Sequence, residues 1–210
     1  IRSCLVGSEM CIRDRIKEDL NNSINFFAYD IGPGNCLIDD WVRNNKDLKF
    51  DKDGNYANIG KVDDLILNQA IDNFEFKSYE TSLDVKDFDT SFVKGLSFED
   101  GCATLTKFTA YLIADGLRKI NKQNNINPHH YIICGGGRKN KSLMQSIENY
   151  LVNKNIIIKD IDDYNFNGNF IESQAFAYLA IRSYLKLPIS FPTTTRCKKV
   201  ISGGVIQKNF

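Results

Sequence analysis

The sequence is poor in long apolar runs, in excess charge of either sign and in histidine. None of its apolar runs approaches the roughly 20 residues that a membrane-spanning helix needs. The 27 basic and 26 acidic residues leave a net charge of +1, so nothing in the charge indicates a nucleic acid or an anionic membrane as partner. The two histidines, His129 and His130, are adjacent, which argues against a His-based metal site, and we assign no metal ligand.

The spacing of the cysteines does not indicate a disulfide framework either. There are six, and none of them forms a C-x-x-C pair. In a chain of 210 residues, long enough for one large or two small domains, they indicate reduced thiols and a cytoplasmic protein. The first 15 residues have scattered charges and no apolar segment of the kind that a secretory signal needs.

The most informative stretch is FFAYDIGPGNCLIDDW, residues Phe26–Trp41. An apolar strand ends in Asp30, a tight turn carries Gly32, Gly34 and Asn35, and a helix follows. A carboxylate beside a turn that is nearly free of side chains can approach a phosphate or a sugar hydroxyl closely. Turn chemistry alone allows the alternative that Asp30 caps the turn and the glycines only let it close.

A second stretch combines a strand, a glycine turn and a helix. The apolar run at 131–134 leads into Gly135, Gly136 and Gly137, and a helical stripe follows from Leu143. Free amides at a helix start favour an anion, although the stretch is neither a Walker A loop nor a G-x-G-x-x-G motif. A tight strand–helix connection is the alternative, and Asn140 is interpreted as the helix cap.

The remaining elements predict an α/β protein. A long amphipathic helix is expected at Gly101–Lys122 and a strand at 156–159. A further helix is expected at Phe170–Lys186, with Glu172 in its first turn, where a carboxylate is favourable for the helix alone. We expect this helix to pack five apolar side chains inward: Ala175, Phe176, Leu179, Ala180 and Ile181. Strands that alternate with helices define the α/β class.

Five stretches in order resemble the bacterial anhydro-N-acetylmuramic acid kinases, sugar kinases of the actin-like ATPase superfamily. They are DIGPGNCLIDDW, GLSFEDGCATLTKFTA, ICGGGRKN, IESQAFAYLAIRS and LPISFPTTT. Together they cover roughly residues 26–204, and ordered motifs are more specific than any one of them. The resemblance implies that residues 16–204 form the second lobe of an actin-like, ribonuclease-H-like ATPase, a mixed sheet with helices on both faces. Residues 205–210 would begin the crossover to the first lobe.

The resemblance also implies a reaction. ATP, with Mg²⁺, would phosphorylate 1,6-anhydro-N-acetylmuramic acid while its anhydro bridge is opened by water, giving N-acetylmuramic acid 6-phosphate for cell-wall recycling. Asp30 would be the base; Gly32, Gly34, Asn35 and Glu172 would contact the amino sugar, and Gly135–Gly137 the adenosine. A homodimer stays open, and neither nucleic acid nor membrane is implied as a partner.

Several features depart from the family pattern. Residues 1–15 fit nothing that follows and resemble translated sequencing-adapter DNA, so we interpret them as a non-native start and exclude them from the fold. The phosphate-binding hairpin and the G-G-x-A-N strand expected upstream are not in the sequence. Tyr79–Phe88 matches a family stretch poorly and supplies no site residue, and Arg196 stands where glycine is usual, at an expected positive-φ turn.

Two other functions stay open at this point. The chain could be a non-catalytic module that holds adenosine or sugar weakly, or a related kinase for another sugar. Reading the gene upstream of the codon for Ile1 discriminates between them, because a continuous frame into a G-T-S-x-D-G hairpin is expected only of a genuine kinase.

Overall fold

The computed structural model describes residues 3–6, 10–15, 26–74, 87–124, 129–152, 156–205 and 207. It contains five strands: β1 (Ser3–Val6), β2 (Met10–Arg15), β3 (Phe26–Gly32), β4 (His129–Ile133) and β5 (Ile156–Asp160). The helices are α1 (Cys36–Asn45), α2 (Asn55–Ile59), α3 (Asp64–Asn73), α4 (Phe98–Asn124), α5 (Lys141–Leu151), α6 (Ile171–Tyr184) and α7 (Pro192–Thr195). Most of Tyr79–Phe88 lies outside the described residues, as do 16–25 and most of 205–210.

The described strands form one mixed sheet in the order β3-β2-β1-β4-β5. β2 runs antiparallel to both β1 and β3, whereas β1, β4 and β5 are parallel neighbours. It follows that β1, β3, β4 and β5 all point the same way. Their carboxyl ends therefore lie along one edge of the sheet, which is where α/β proteins bind ligands.

Helices cover both faces of the sheet around β4. Tyr131 and Ile133 belong to a core cluster with α4 and α5, whereas Ile132 packs on the opposite side with Ile161 and with Ile171 at the start of α6. Because successive strand residues face opposite sides, β4 joins two layers of helix. The prediction of an α/β fold is therefore confirmed.

Helix α4 is the centre of the domain. One side of it packs against the sheet through Ile113, Leu117 and Ile120, and another packs against α1, α2 and α3 through Leu105 and Phe108. The 27-residue helix contains the predicted span and begins three residues before it. Ser97 Oγ accepts from the Asp100 amide at 3.1 Å, a local bond that helps to fix the helix start.

Residues 1–15, which we excluded from the fold on their sequence, contribute two strands to the sheet. β1 and β2 occupy two of the inner places of the sheet, between β3 and β4. Any pair of extended segments that offers backbone hydrogen bonds can fill such a gap, so sequence character alone did not exclude them. That the segment is foreign to the natural protein stays a prediction.

Helix α6 is where the predicted packing is wrong. Ala175 and Leu179 are half-buried as expected, but Phe176 is 65% exposed, Ile181 is 58% exposed and Ala180 is exposed too. The helix is apolar on nearly every side, so its sequence does not specify which side faces inward. In the structure the inward side is the one that carries Ile171.

Candidate active site

Asp30 lies near the carboxyl end of β3, two residues before the strand ends at Gly32. The strand thus extends beyond Asp30, where the sequence had predicted its end. Cys11 pairs with Asp30 and Met10 with Gly32, which leaves Ile31 as one extra residue on β3. This bulge allows the consecutive residues Ile31 and Gly32 both to face α4, and bulges of this kind commonly re-aim side chains beside active sites.

Glycine is required at Gly32 and at Gly34 for two different physical reasons. A Cβ on Gly32 would stand 3.2 Å from Cγ1 of Ile113, so helix α4 approaches the backbone closely there. Gly34 has φ +57°, a conformation that glycine adopts at little cost. Packing and turn geometry account for both residues, and their contact with a sugar stays a prediction.

Asn35, in the turn after β3, lies close to the glycine turn that follows β4. It stands directly before α1, yet its side chain makes no capping hydrogen bond. A Cβ on Gly137 would lie 3.9 Å from Nδ2 of Asn35, and Oδ1 of Asn35 is buried without a hydrogen-bond partner among the described residues. An unsatisfied buried acceptor is costly, and in native proteins it commonly has a ligand or a functional reason.

The glycine turn after β4 is open on one side. Gly135 has φ +85°, and Gly136–Lys139 form a 3₁₀ turn that leads into α5. No described atom lies within 4 Å of the place where a Cβ on Gly136 would stand. Asn140 caps α5 by accepting from the Leu143 amide at 3.0 Å, which confirms its predicted role. The backbone at Gly136 is therefore left uncovered by the described residues on that side.

The loop that packs beside the glycine turn was not predicted as part of the site. Arg138 is buried and forms ion pairs with Asp160 at 3.2 Å and Asp162 at 2.8 Å. The Asp162 side chain accepts from the Gly168 amide, and this bond, together with the guanidinium, lowers the pKa of Asp162. In the sequence, this cluster is indicated only by the arginine that follows the glycines and by the acidic residues that follow β5. These two segments become neighbours only in the folded chain.

Glu172 lies in the first turn of α6 and is exposed. Its neighbour Ile171 packs against Cys134 and Ile132, so the start of α6 lies beside the strand that enters the glycine turn. Glu172 is thus the neighbour of a residue that packs beside the end of β4. Its contact with a sugar stays a prediction.

A second carboxyl beside the Asp30 turn was also missed. Burial raises the pKa of Asp39 to about 6, Arg43 opposes that rise, and the negative charge of Asp51 adds to it. Asp51 is itself buried and accepts from the amides of Tyr56 and Ala57 at 2.9 and 3.0 Å. The buried Asp51 carboxylate therefore caps the amides at the start of α2.

Fold and site together define an α/β domain in which a carboxylate and two glycine-containing turns lie at the carboxyl ends of the strands, the edge where such proteins bind ligands. Comparison with known proteins is more specific. A family model described as anhydro-N-acetylmuramic acid kinase matches residues 20–209, and the chain belongs to that family, which confirms the resemblance.

The relatives agree with this assignment. The chain is 55% identical over 192 residues to a Pelagibacter ubique protein named anhydro-N-acetylmuramic acid kinase, covering 90% of this chain and 51% of the relative. Proteins of the same name from Rhodospirillum rubrum and Brucella canis are 36% and 37% identical over 84% and 85% of this chain, or 46% and 47% of their own lengths. The chain therefore spans about half the length of the curated relatives it matches.

None of the helices in the described ranges is long and apolar enough to cross a membrane.

Proposed function

We propose that the chain is the second lobe of a kinase that phosphorylates 1,6-anhydro-N-acetylmuramic acid with ATP and opens its anhydro bridge with water. The product would be N-acetylmuramic acid 6-phosphate, an intermediate in the recycling of cell-wall peptidoglycan. Membership of the family supports the reaction. The mixed sheet, with helices on both faces, supports an actin-like lobe.

The observation that carries the proposal is the approach of Asn35 to Gly137. One turn belongs to the carboxylate strand and the other to the glycine turn, and 102 residues separate them in the sequence. Their meeting, with a buried acceptor of Asn35 left unpartnered, would bring a sugar on the Asp30 side and a nucleotide on the glycine side together. Phosphoryl transfer depends mainly on such positioning.

The glycine turn fits a nucleotide. The open space beside Gly136 would admit a flat group against the backbone, and Gly135–Gly137 would hold the adenosine. Bound ATP, with Mg²⁺, supplies the phosphoryl group. Reduced thiols at Cys102 and Cys197 are compatible with the cytoplasm, where we place the protein.

Asp30 would act as the base. It takes a proton from a water molecule while the water oxygen attacks the anomeric carbon of the sugar. The bond from that carbon to the bridge oxygen breaks, and the bridge oxygen becomes the acceptor of the phosphoryl group at O6. Asn35 and Glu172 would orient the sugar by hydrogen bonds, and Gly32 and Gly34 would contact it through their backbone.

The test is Asp30→Asn in the protein produced with both lobes. Removal of a general base lowers turnover by about 10²- to 10⁴-fold, whereas ATP binding should persist because the amide keeps the shape of the carboxyl group. Product formation and ATP affinity are measured side by side. Asp40→Asn, on the neighbouring helix α1, is the control and should keep its turnover. An Asp30→Asn protein with most of its activity would show that another group is the base.

A further inference from the structure

Arg138 is a buried cation that bridges three segments of the chain. Its side chain is only 3% exposed, and a charge so deeply buried is retained only where partners compensate it. Its Nη1 donates to the carbonyl of Gly135 at 2.9 Å, its Nε to Asp160 at 3.2 Å and its Nη2 to Asp162 at 2.8 Å. The flat guanidinium thus uses all three of its nitrogens.

Each bond fixes a different part of the candidate site. Gly135 opens the glycine turn in a left-handed conformation, and Asp160 is the last residue of β5. Asp162 in turn accepts from the Gly168 amide at 2.6 Å, so the far end of the following loop is tied to the same centre. Asn169 adds a longer contact, from its Oδ1 to two guanidinium nitrogens at 3.4 Å.

The loop backbone packs directly on the guanidinium. A Cβ on Gly168 would stand 2.7 Å from Cζ of Arg138, so glycine is needed for the close approach. Gly168 is only three residues before Ile171, where α6 begins with Glu172 as its second residue. Arg138 therefore ties the loop before α6 to the glycine turn, in addition to the direct packing of Ile171 on Ile132 and Cys134.

We propose that Arg138 is a positioning residue for nucleotide binding, which holds the glycine turn and the loop at 161–169 in one arrangement. The inference rests on the proposed function, since it takes Gly135–Gly137 as the nucleotide turn. Lysine cannot replace the arginine, because a single ammonium on a flexible stem cannot reach three diverging acceptors together. Arg138 holds the conformation of the turn through its hydrogen bond to the Gly135 carbonyl and does not itself touch the nucleotide.

The experiment uses Arg138→Lys in the 210-residue chain. ADP is titrated and followed by NMR chemical shifts, while hydrogen exchange is measured for amides in 161–169 and in α4. We expect ADP affinity to fall about tenfold or more, the change that loss of one charge-assisted hydrogen bond brings. We also expect faster exchange in the loop and unchanged exchange in α4.

Two further variants keep the test decisive. Arg118→Lys changes an arginine that is paired within α4 to Asp115 at 3.4 Å, and it should leave ADP affinity unchanged. Asp162→Asn removes one ion pair but keeps an acceptor for the Gly168 amide, so it should also lower the affinity for ADP, by a smaller factor. This variant tests the proposal even if the Arg138→Lys protein fails to fold.

The outcomes separate the two proposals. If the unchanged chain binds ADP and the Arg138→Lys and Asp162→Asn proteins bind it equally well, the positioning role is overturned while the kinase proposal stands. Weaker ADP binding without faster loop exchange also overturns it, because the arginine would then act by another route. If the unchanged chain binds no ADP at millimolar concentration, the nucleotide assignment of the glycine turn fails, and this inference fails with it.

Discussion

Helices α4 and α6 are both rich in apolar residues, but they have opposite surroundings. Ile113, Leu117 and Ile120 of α4 are fully buried between the sheet and its neighbouring helices. Within the described part of the chain, no residue of α6 is buried, and Tyr184 at its end is 70% exposed. The difference lies in the partners that each helix finds rather than in composition.

The exposed region continues beyond α6. Leu185, Val200 and Val205 are each more than half exposed, so exposed apolar side chains recur after the helix as well. Helix α4 thus specifies its own core, whereas α6 contributes little to the stability of the domain as it stands.

The two helices should respond very differently to the same substitution. Ile113→Ala should lower the free energy of unfolding by about 2–5 kcal/mol, because it opens a cavity in the core. Ile181→Ala should change it by less than about 0.5 kcal/mol, since that side chain is 58% exposed. Urea unfolding of both proteins measures the difference. Equal losses would mean that the α6 surface is covered in solution.

A second pair compares glycines in the core and in the site. A Cβ on Gly116 would stand 2.7 Å from Cβ of Ile31, so Gly116→Ala should cost about 1–3 kcal/mol despite the better helix propensity of alanine. Gly136→Ala, which meets open space, should leave the midpoint of thermal unfolding nearly unchanged. A stable Gly116→Ala protein would contradict the close contact of α4 with β3.

A third pair asks whether the segment after α6 unfolds with the rest. Arg196 has φ +56° at the end of α7, so the positive φ expected at this position is present, although the residue is not glycine. Arg196→Gly should be more stable than Arg196→Ala by about 1–2 kcal/mol, because both remove the side chain and only alanine keeps the backbone strain. Thr194, inside α7, should show the reverse order by roughly 1 kcal/mol. Identical unfolding curves for all four variants would show that this segment is not coupled to the core.

The smallest effect concerns Asp39 beside the site. Its folded pKa of about 6 lies above its ordinary value of 3.8, so the folded state disfavours the charged form. Stability is therefore highest below pH 4 for this group and falls as the pH rises toward and past 6. Asp39→Asn should raise the free energy of unfolding at pH 7.5 by about 1 kcal/mol, after discounting for solvent screening of a half-buried group, and should not raise it at pH 4. Asp40→Asn, one residue along, is the control; a gain of equal size there would assign the effect to helix charge in general.

Much of the local structure could be predicted. The strand and turn around Asp30, the helix that contains Gly101–Lys122 and the cap at Asn140 follow from apolar periodicity and capping chemistry, which act within a few residues. The family could be identified in the same way, because its motifs are short and occur in a fixed order along the chain. The contacts of Arg138 could not be predicted, since Asp160 and Asp162 reach it only after β5 has paired with β4.

The α/β class and the family follow from the amino-acid sequence, because each depends on short patterns along the chain, and the same patterns predict the residues of the proposed chemistry. Only folding brings Asn35 close to Gly137, buries Arg138 among carboxylates and leaves apolar side chains of α6 exposed. These are contacts between distant segments, or the lack of them within the described chain, and their energy depends on what the fold brings within a few ångströms.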